Sequence, residues 1–161
     1  MDGEDDKMET GCCPRFDPGP WDEKEITWKN KLFVKDTVKS FLHIPLNIKK
    51  VIARNMEMIE EADALDPQSI MLSDEKSSWN FDIYIAINKR VPNVKMEKIS
   101  GTFLTKVFQG PYRNAGKWAK EMVNYVESKG KEIKKMYFWY TTCPKCAKVY
   151  GKNYTVILVK D

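Results

Sequence analysis

Residues 103–112 read Phe103-Leu104-Thr105-Lys106-Val107-Phe108-Gln109-Gly110-Pro111-Tyr112. The stretch is rich in β-branched and aromatic residues and stops at a Gly-Pro pair, the pattern of a strand running into a turn. Directly after it, Ala115, Trp118, Ala119, Met122, Val123 and Val126 recur at helical spacing, and Gly130 supplies a stop signal. The spacing predicts a helix over 113–129, followed by strands at Ile133–Thr141 and Tyr154–Val159. This half of the chain is therefore strand, helix, strand, strand.

The first half repeats that order. Thr37 to His43 alternates at period two and ends in His43-Ile44-Pro45-Leu46. In 47–64 Ile48, Val51, Ile52, Met56 and Ile59 follow helical spacing, and Ser69–Ser73 and Phe81–Asn88 read as strands. Pro45 and Pro111 are 66 residues apart. That offset pairs Ile52 with Trp118, Met56 with Met122 and Leu72 with Phe138, while the last strands pair at an offset of 73. The added residues fall in the loop holding Cys143-Pro144-Lys145-Cys146. Two further strand readings complete the pass. Ile26-Thr27-Trp28 and Leu32-Phe33-Val34 flank Lys29-Asn30-Lys31 as a short hairpin, and Val94–Phe108 is a strand bent near Gly101.

The expected fold is α+β. A duplicated strand–helix–strand–strand unit (half-repeats about 32–88 and 98–159) forms one antiparallel sheet with two helices on one face, leaving a ligand groove at the pseudo-twofold. Residues 25–161 make a single domain, preceded by residues 1–24, an acidic tail and an arm. Within the arm Cys12, Cys13, Pro14, Phe16, Pro18, Gly19, Pro20 and Trp21 follow one another closely, and a Phe and a Trp are costly to leave in water, so the arm is expected to lie over the body.

Composition narrows the function classes. At 161 residues, with 42% hydrophobic and 31% charged residues, the chain can bury one core. Residues 1–24 carry eight acidic and three basic side chains, so the remainder is basic against a total of +4. Only four of the 27 basic residues are arginine, and the lysines are dispersed, with Lys129, Lys131, Lys134 and Lys135 the nearest to a patch. That is a solvated surface rather than a nucleic-acid interface. No apolar run suits a membrane, and the acidic start Met1-Asp2-Gly3-Glu4-Asp5-Asp6 is unlike a secretory signal. The expectation is a cytoplasmic monomer that takes neither nucleic acid nor membrane as partner, only a small molecule.

The stretch 103–112, with Trp118 and the Gly130 helix end, resembles the gyrase-inhibitor-like (GyrI-like) small-molecule-binding domain, in its stand-alone form, over roughly residues 32–161. The resemblance implies a module for drug-like, often aromatic or cationic molecules, with some relatives that hydrolyse reactive ones. Such domains place a buried glutamate on the strand after the second helix. Here that strand is Met136-Tyr137-Phe138-Trp139-Tyr140-Thr141, without a carboxylate, and Asp82 is the candidate replacement.

Strand alternation assigns faces. Ile70, Leu72, Met136, Phe138, Phe81, Ile83, Ile85, Val156 and Leu158 are expected to face the helices. Met71, Ser73, Tyr137, Trp139, Asp82, Tyr84 and Thr155 fall on the opposite parity. The candidate ligand-binding residues are Tyr84, Gln109, Tyr112, Tyr137 and Trp139, an aromatic set with few polar groups, as small-molecule sites require. The same aromatics can equally be covered by the arm. For a hydrolytic alternative the candidate catalytic groups are His43, the single histidine, and Asp82. No nucleophile elbow, His-Glu-x-x-His helix or phosphate loop is present. Cys143-Pro144-Lys145-Cys146 reads as half a zinc site that Cys12, Cys13 or His43 would complete, as a redox dithiol, or as free thiols lining or closing the pocket. No cofactor is otherwise called for, and a zinc-stabilised interaction protein is the third class of function.

Overall fold

A computed structural model describes residues 16–41, 44–75, 79–141 and 153–160. The elements are β1 (Lys24–Phe41), β2 (Ile44–Pro45), α1 (Ile48–Glu61), β3 (Met71–Asp74), β4 (Asn80–Ala86), β5 (Met96–Gln109), a 3-10 turn (Tyr112–Asn114), α2 (Ala115–Ser128), β6 (Lys135–Tyr140) and β7 (Tyr154–Lys160). The chain divides into two compact units, Thr27–Gly101, and Met1–Ile26 together with Thr102–Asp161. The second boundary follows Gly101, whose φ of 142° is open to glycine alone, so the expected bend in this strand is present.

In the unit Thr27–Gly101 the strand order is β2-β1-β4-β3, all antiparallel. Residues 26–34 do not form a hairpin; they run through as one strand of 18 residues. Asn30 takes φ 52° and its N–H donates to Ser100 Oγ at 2.8 Å, so the polar triplet is a kink in a continuing strand. One face of the sheet is apolar: Val34, Val38, Phe81, Ile83 and Ile85 pack with Val51 and Ile59 of α1. Asn55 lies on the same stripe of α1 and is buried. Its Nδ2 donates to Val51 O at 2.7 Å and to Asp36 Oδ2 at 2.8 Å, and Arg54 reaches the same carboxylate oxygen at 2.6 Å. Burial pushes the Asp36 carboxyl up. The bonds from Asn55, Arg54 and the Thr37 N–H, with the Arg54 charge, outweigh that and hold it below the usual carboxylate range.

In the other unit the order is β6-β7-β5, again antiparallel. Leu104, Phe108, Ile157 and Val159 pack against Trp118, Met122 and Val126 of α2, with Met136 and Phe138 partly buried beside them. Phe108 and Trp118 stack at 5.9 Å. Gly110 holds φ 139°, and its missing Cβ would stand 3.5 Å from the Trp118 ring. Asn153 clamps this turn from both sides: its carbonyl accepts from the Gly110 N–H, and its Nδ2 donates to Gly110 O at 2.8 Å. α2 ends with Gly130 at φ 69°, the expected stop.

The facing of Phe81, Ile83, Ile85, Met136 and Phe138 is as read from the sequence. That of β3 and β7 is not. Met71, not Leu72, packs on the α1 cluster, because Leu72 is paired with Tyr84. Ile157 and Val159, not Val156 and Leu158, pack on the α2 cluster, and Thr155 shares their parity. Ile70 to Leu72 and Val156 to Val159 are apolar at every position, so these stretches hold no alternation to read. The matching of the halves slips in consequence: Met71 corresponds in facing to Met136, one residue off the offset of 66. On the helices Val51, Asn55 and Ile59 take the buried places that Trp118, Met122 and Val126 take on α2.

Candidate functional site

The face turned away from α2 is aromatic, with Lys135 Nζ 5.5 Å over the Tyr137 ring, and the arm lies on its Trp139 end. Cross-strand pairing sets Thr105, Leu158 and Tyr137 in one row, and Val107, Val156 and Trp139 in the next. Phe103 lies 6.3 Å from Tyr137. Tyr137 and Trp139 are 3% and 6% exposed, values that identify them as covered residues rather than walls of an open groove. The cover over Trp139 is the arm. Phe16 meets Trp139 edge-on at 5.4 Å and Tyr154 at 5.7 Å, and Trp21 meets Trp139 edge-on at 5.0 Å.

The arm reaches this place through its own turn and through the edge of β5. Gly19 N–H donates to Asp17 Oδ1 at 3.0 Å, and the N–H groups of Trp21 and Asp22 both donate to Pro18 O. Thr105 Oγ1 donates to Trp21 O at 2.5 Å, and Val107 N–H donates to Asp22 Oδ1 at 3.1 Å. Lys106 and Glu23 form an ion pair at 3.3 Å. Thr105 went unremarked in the sequence. It is fully buried, and no pattern in the sequence sets its hydroxyl apart from the other polar residues of β5.

The other candidates fall as follows. Gln109 pairs with Tyr154 at the end of β5, exposed, on the face that carries Trp139. Tyr112 opens the 3-10 turn. Tyr84 belongs to the unit Thr27–Gly101, where it is fully buried on the face turned away from α1, 6.3 Å from Phe33, with Lys35 Nζ 5.6 Å above its ring. Asp82 lies on that face too. Thr37 Oγ1 donates to it at 3.0 Å, and Lys35 stands 3.8 Å from it and 3.6 Å from Glu97. Asp82 is not alone there: the pairing of Asp74 with Asp82 brings a second, buried carboxylate to the same face, which the inverted reading of β3 had hidden. His43, Cys12, Cys13, Cys143 and Cys146 lie outside the described residues, and with them the zinc and thiol readings. Among the described residues no helix is long and apolar enough to cross a membrane.

Comparison with known proteins places this architecture. The C-terminal domain of EcmrR is similar at 14% identity, with 85% of this chain and 94% of that one covered and a TM-score of 0.66. A hydrolase from Listeria innocua is similar at 12% identity over 97% of both chains, with a TM-score of 0.60. SAV2435, in a structure bound to tetraphenylphosphonium, is similar at 12% identity over 85% of this chain and 92% of that one, with a TM-score of 0.53. At such identities the likeness is one of fold. No curated protein matches the chain. The family described as bacterial hydrolase matches residues 3–160, nearly the whole sequence, and the chain belongs to that family.

Proposed function

We propose that the chain is a GyrI-like module that binds a small lipophilic or aromatic molecule on the Trp139 face. The observation that carries this reading is the concentration of rings there, with Phe103, Tyr137 and Trp139 on the sheet and the arm's Phe16 and Trp21 set on Trp139. Such a surface buries a flat apolar ligand and stacks on it. The complex of SAV2435 with tetraphenylphosphonium, a cation that carries four phenyl rings, supports an aromatic ligand. The test is a titration with Nile red, an uncharged aromatic dye, and separately with tetraphenylphosphonium. Saturable binding that drops in Trp139→Leu, with the fold retained, supports the site. Binding indifferent to Trp139 refutes it.

A second reading, hydrolysis of a reactive small molecule, is favoured by the family description and by the Asp82–Thr37–Lys35 group. A carboxylate held by a hydroxyl and an ammonium is fixed in place to accept a proton from water. Turnover of an activated aryl ester that Asp82→Asn abolishes is the expected result for this reading. Equal rates in parent and variant remove Asp82 from it.

A further inference from the structure

We infer that residues 16–23 are an intramolecular competitor for the ligand face, a tethered pair of rings that must leave Trp139 before a ligand ring can stack there. The inference rests on the binding reading above and adds its regulation. Its first ground is space. Phe16 and Trp21 both sit edge-on to Trp139, at 5.4 and 5.0 Å between centroids. These are full aromatic contacts, so an incoming ring reaches Trp139 from this side only by replacing one of them.

The second ground is how the arm is fastened. Its rings dock on the ligand face, but among the described residues its polar anchors lie on β5. They are the Thr105 hydroxyl on Trp21 O, the Val107 N–H on Asp22 Oδ1 and the pair of half-buried Lys106 with exposed Glu23. Three such contacts are few for a segment that covers a Trp, and the ion pair weakens in salt. The third ground is the arm's own construction. The turn at Asp17-Pro18-Gly19 closes on itself through Pro18 O and Asp17 Oδ1, and two prolines restrict it, so it can lift as one piece. Its junction with β1 is Glu23, a non-glycine residue at φ 52°, a strained backbone position. An apolar plug held by a small number of polar contacts next to a strained hinge is the arrangement expected of a segment that opens.

The experiment uses the full chain and Nile red. Asp22→Ala removes the acceptor of the Val107 N–H at an exposed position, so the fold is retained, and Phe16→Ala combined with Trp21→Ala removes the competing rings. If the arm competes, apparent affinity rises as the open fraction rises. Asp22→Ala is expected to bind the dye roughly 2- to 5-fold more tightly, and the double variant roughly tenfold or more. Amide exchange of residues 16–24 in the parent chain is expected to speed up when the dye saturates. Unchanged or weaker binding by the variants, with Trp139→Leu still impaired, overturns the competition and makes the arm a wall of the site. Exchange that slows in the dye complex does the same. Dye binding by none of these chains, the double variant included, removes the binding reading, and the competition falls with it.

Discussion

The two units share an order of elements and differ in what they put at equivalent places. On the buried stripe of α2 the middle position is Met122, fully buried among Leu104, Phe108, Trp118 and Ile157. On α1 it is Asn55, tied to the Asp36 carboxylate that Arg54 also holds. The opposite faces diverge as well. The Thr27–Gly101 unit sets the carboxylates Asp74 and Asp82, with Lys35 and Thr37, around Tyr84, while the other unit sets Thr105 and Lys135, its Nζ 5.5 Å over the Tyr137 ring, among Phe103, Tyr137 and Trp139. The backbone frame tolerates either chemistry because a strand pair and a helix need only one apolar seam to close. What fills the remaining positions is open to function.

Met122→Ala is expected to have the largest effect on stability, a loss of about 2–5 kcal/mol, as for a fully buried Met in a packed cluster. Thermal or urea unfolding measures it. Asn55→Ala is expected to lose about 1–3 kcal/mol, because it removes a buried amide and leaves a half-buried Asp36 lone pair and the Val51 carbonyl without that donor. A loss as large as that of Met122→Ala would mean that the two positions do the same packing job and that the contrast is empty.

A pH series sharpens the same contrast. The Asp36 carboxyl is held below its ordinary value in the folded chain, so its contribution is full above the unfolded value near about 4. It fades as pH falls through the folded value. The parent chain is therefore expected to be more stable than Asp36→Asn at neutral pH, and the difference to close in acid. A difference constant from pH 7 to pH 2 would contradict the clamp. Arg54→Ala is the smallest expected change, roughly 0.2–1 kcal/mol, because the Arg54 side chain is largely exposed.

The elements were legible where one face alone is apolar. Both helices, the bend at Gly101 and the facing of β4 and β6 follow from periodicity and one glycine. β3 and β7 were not legible, because Ile70, Leu72 and Val156 to Val159 are buried whichever face they occupy. That misreading hid Asp74. Asn30 was read as a turn because a polar triplet between apolar triplets looks the same in a hairpin and in a kinked strand. Only the partner at Ser100, seventy residues away, separates them. Of the candidate site, the ring parity of Tyr137 and Trp139 was visible, and so was the arm's need for an apolar surface. The anchors at Thr105 and Val107 were not, since they bond through an interior hydroxyl and a backbone N–H that no sequence pattern marks.

The central claim is that the Trp139 face is where a ligand binds. The direct measurement is a Nile red titration of the parent chain, of Trp139→Leu and of Met122→Leu, each checked for a cooperative unfolding curve. Loss of a stacking ring is expected to weaken the dye roughly 10- to 100-fold in Trp139→Leu, while Met122→Leu, on the helix side, binds as the parent does. Equal affinity in all three chains, or a loss confined to Met122→Leu, would contradict the account.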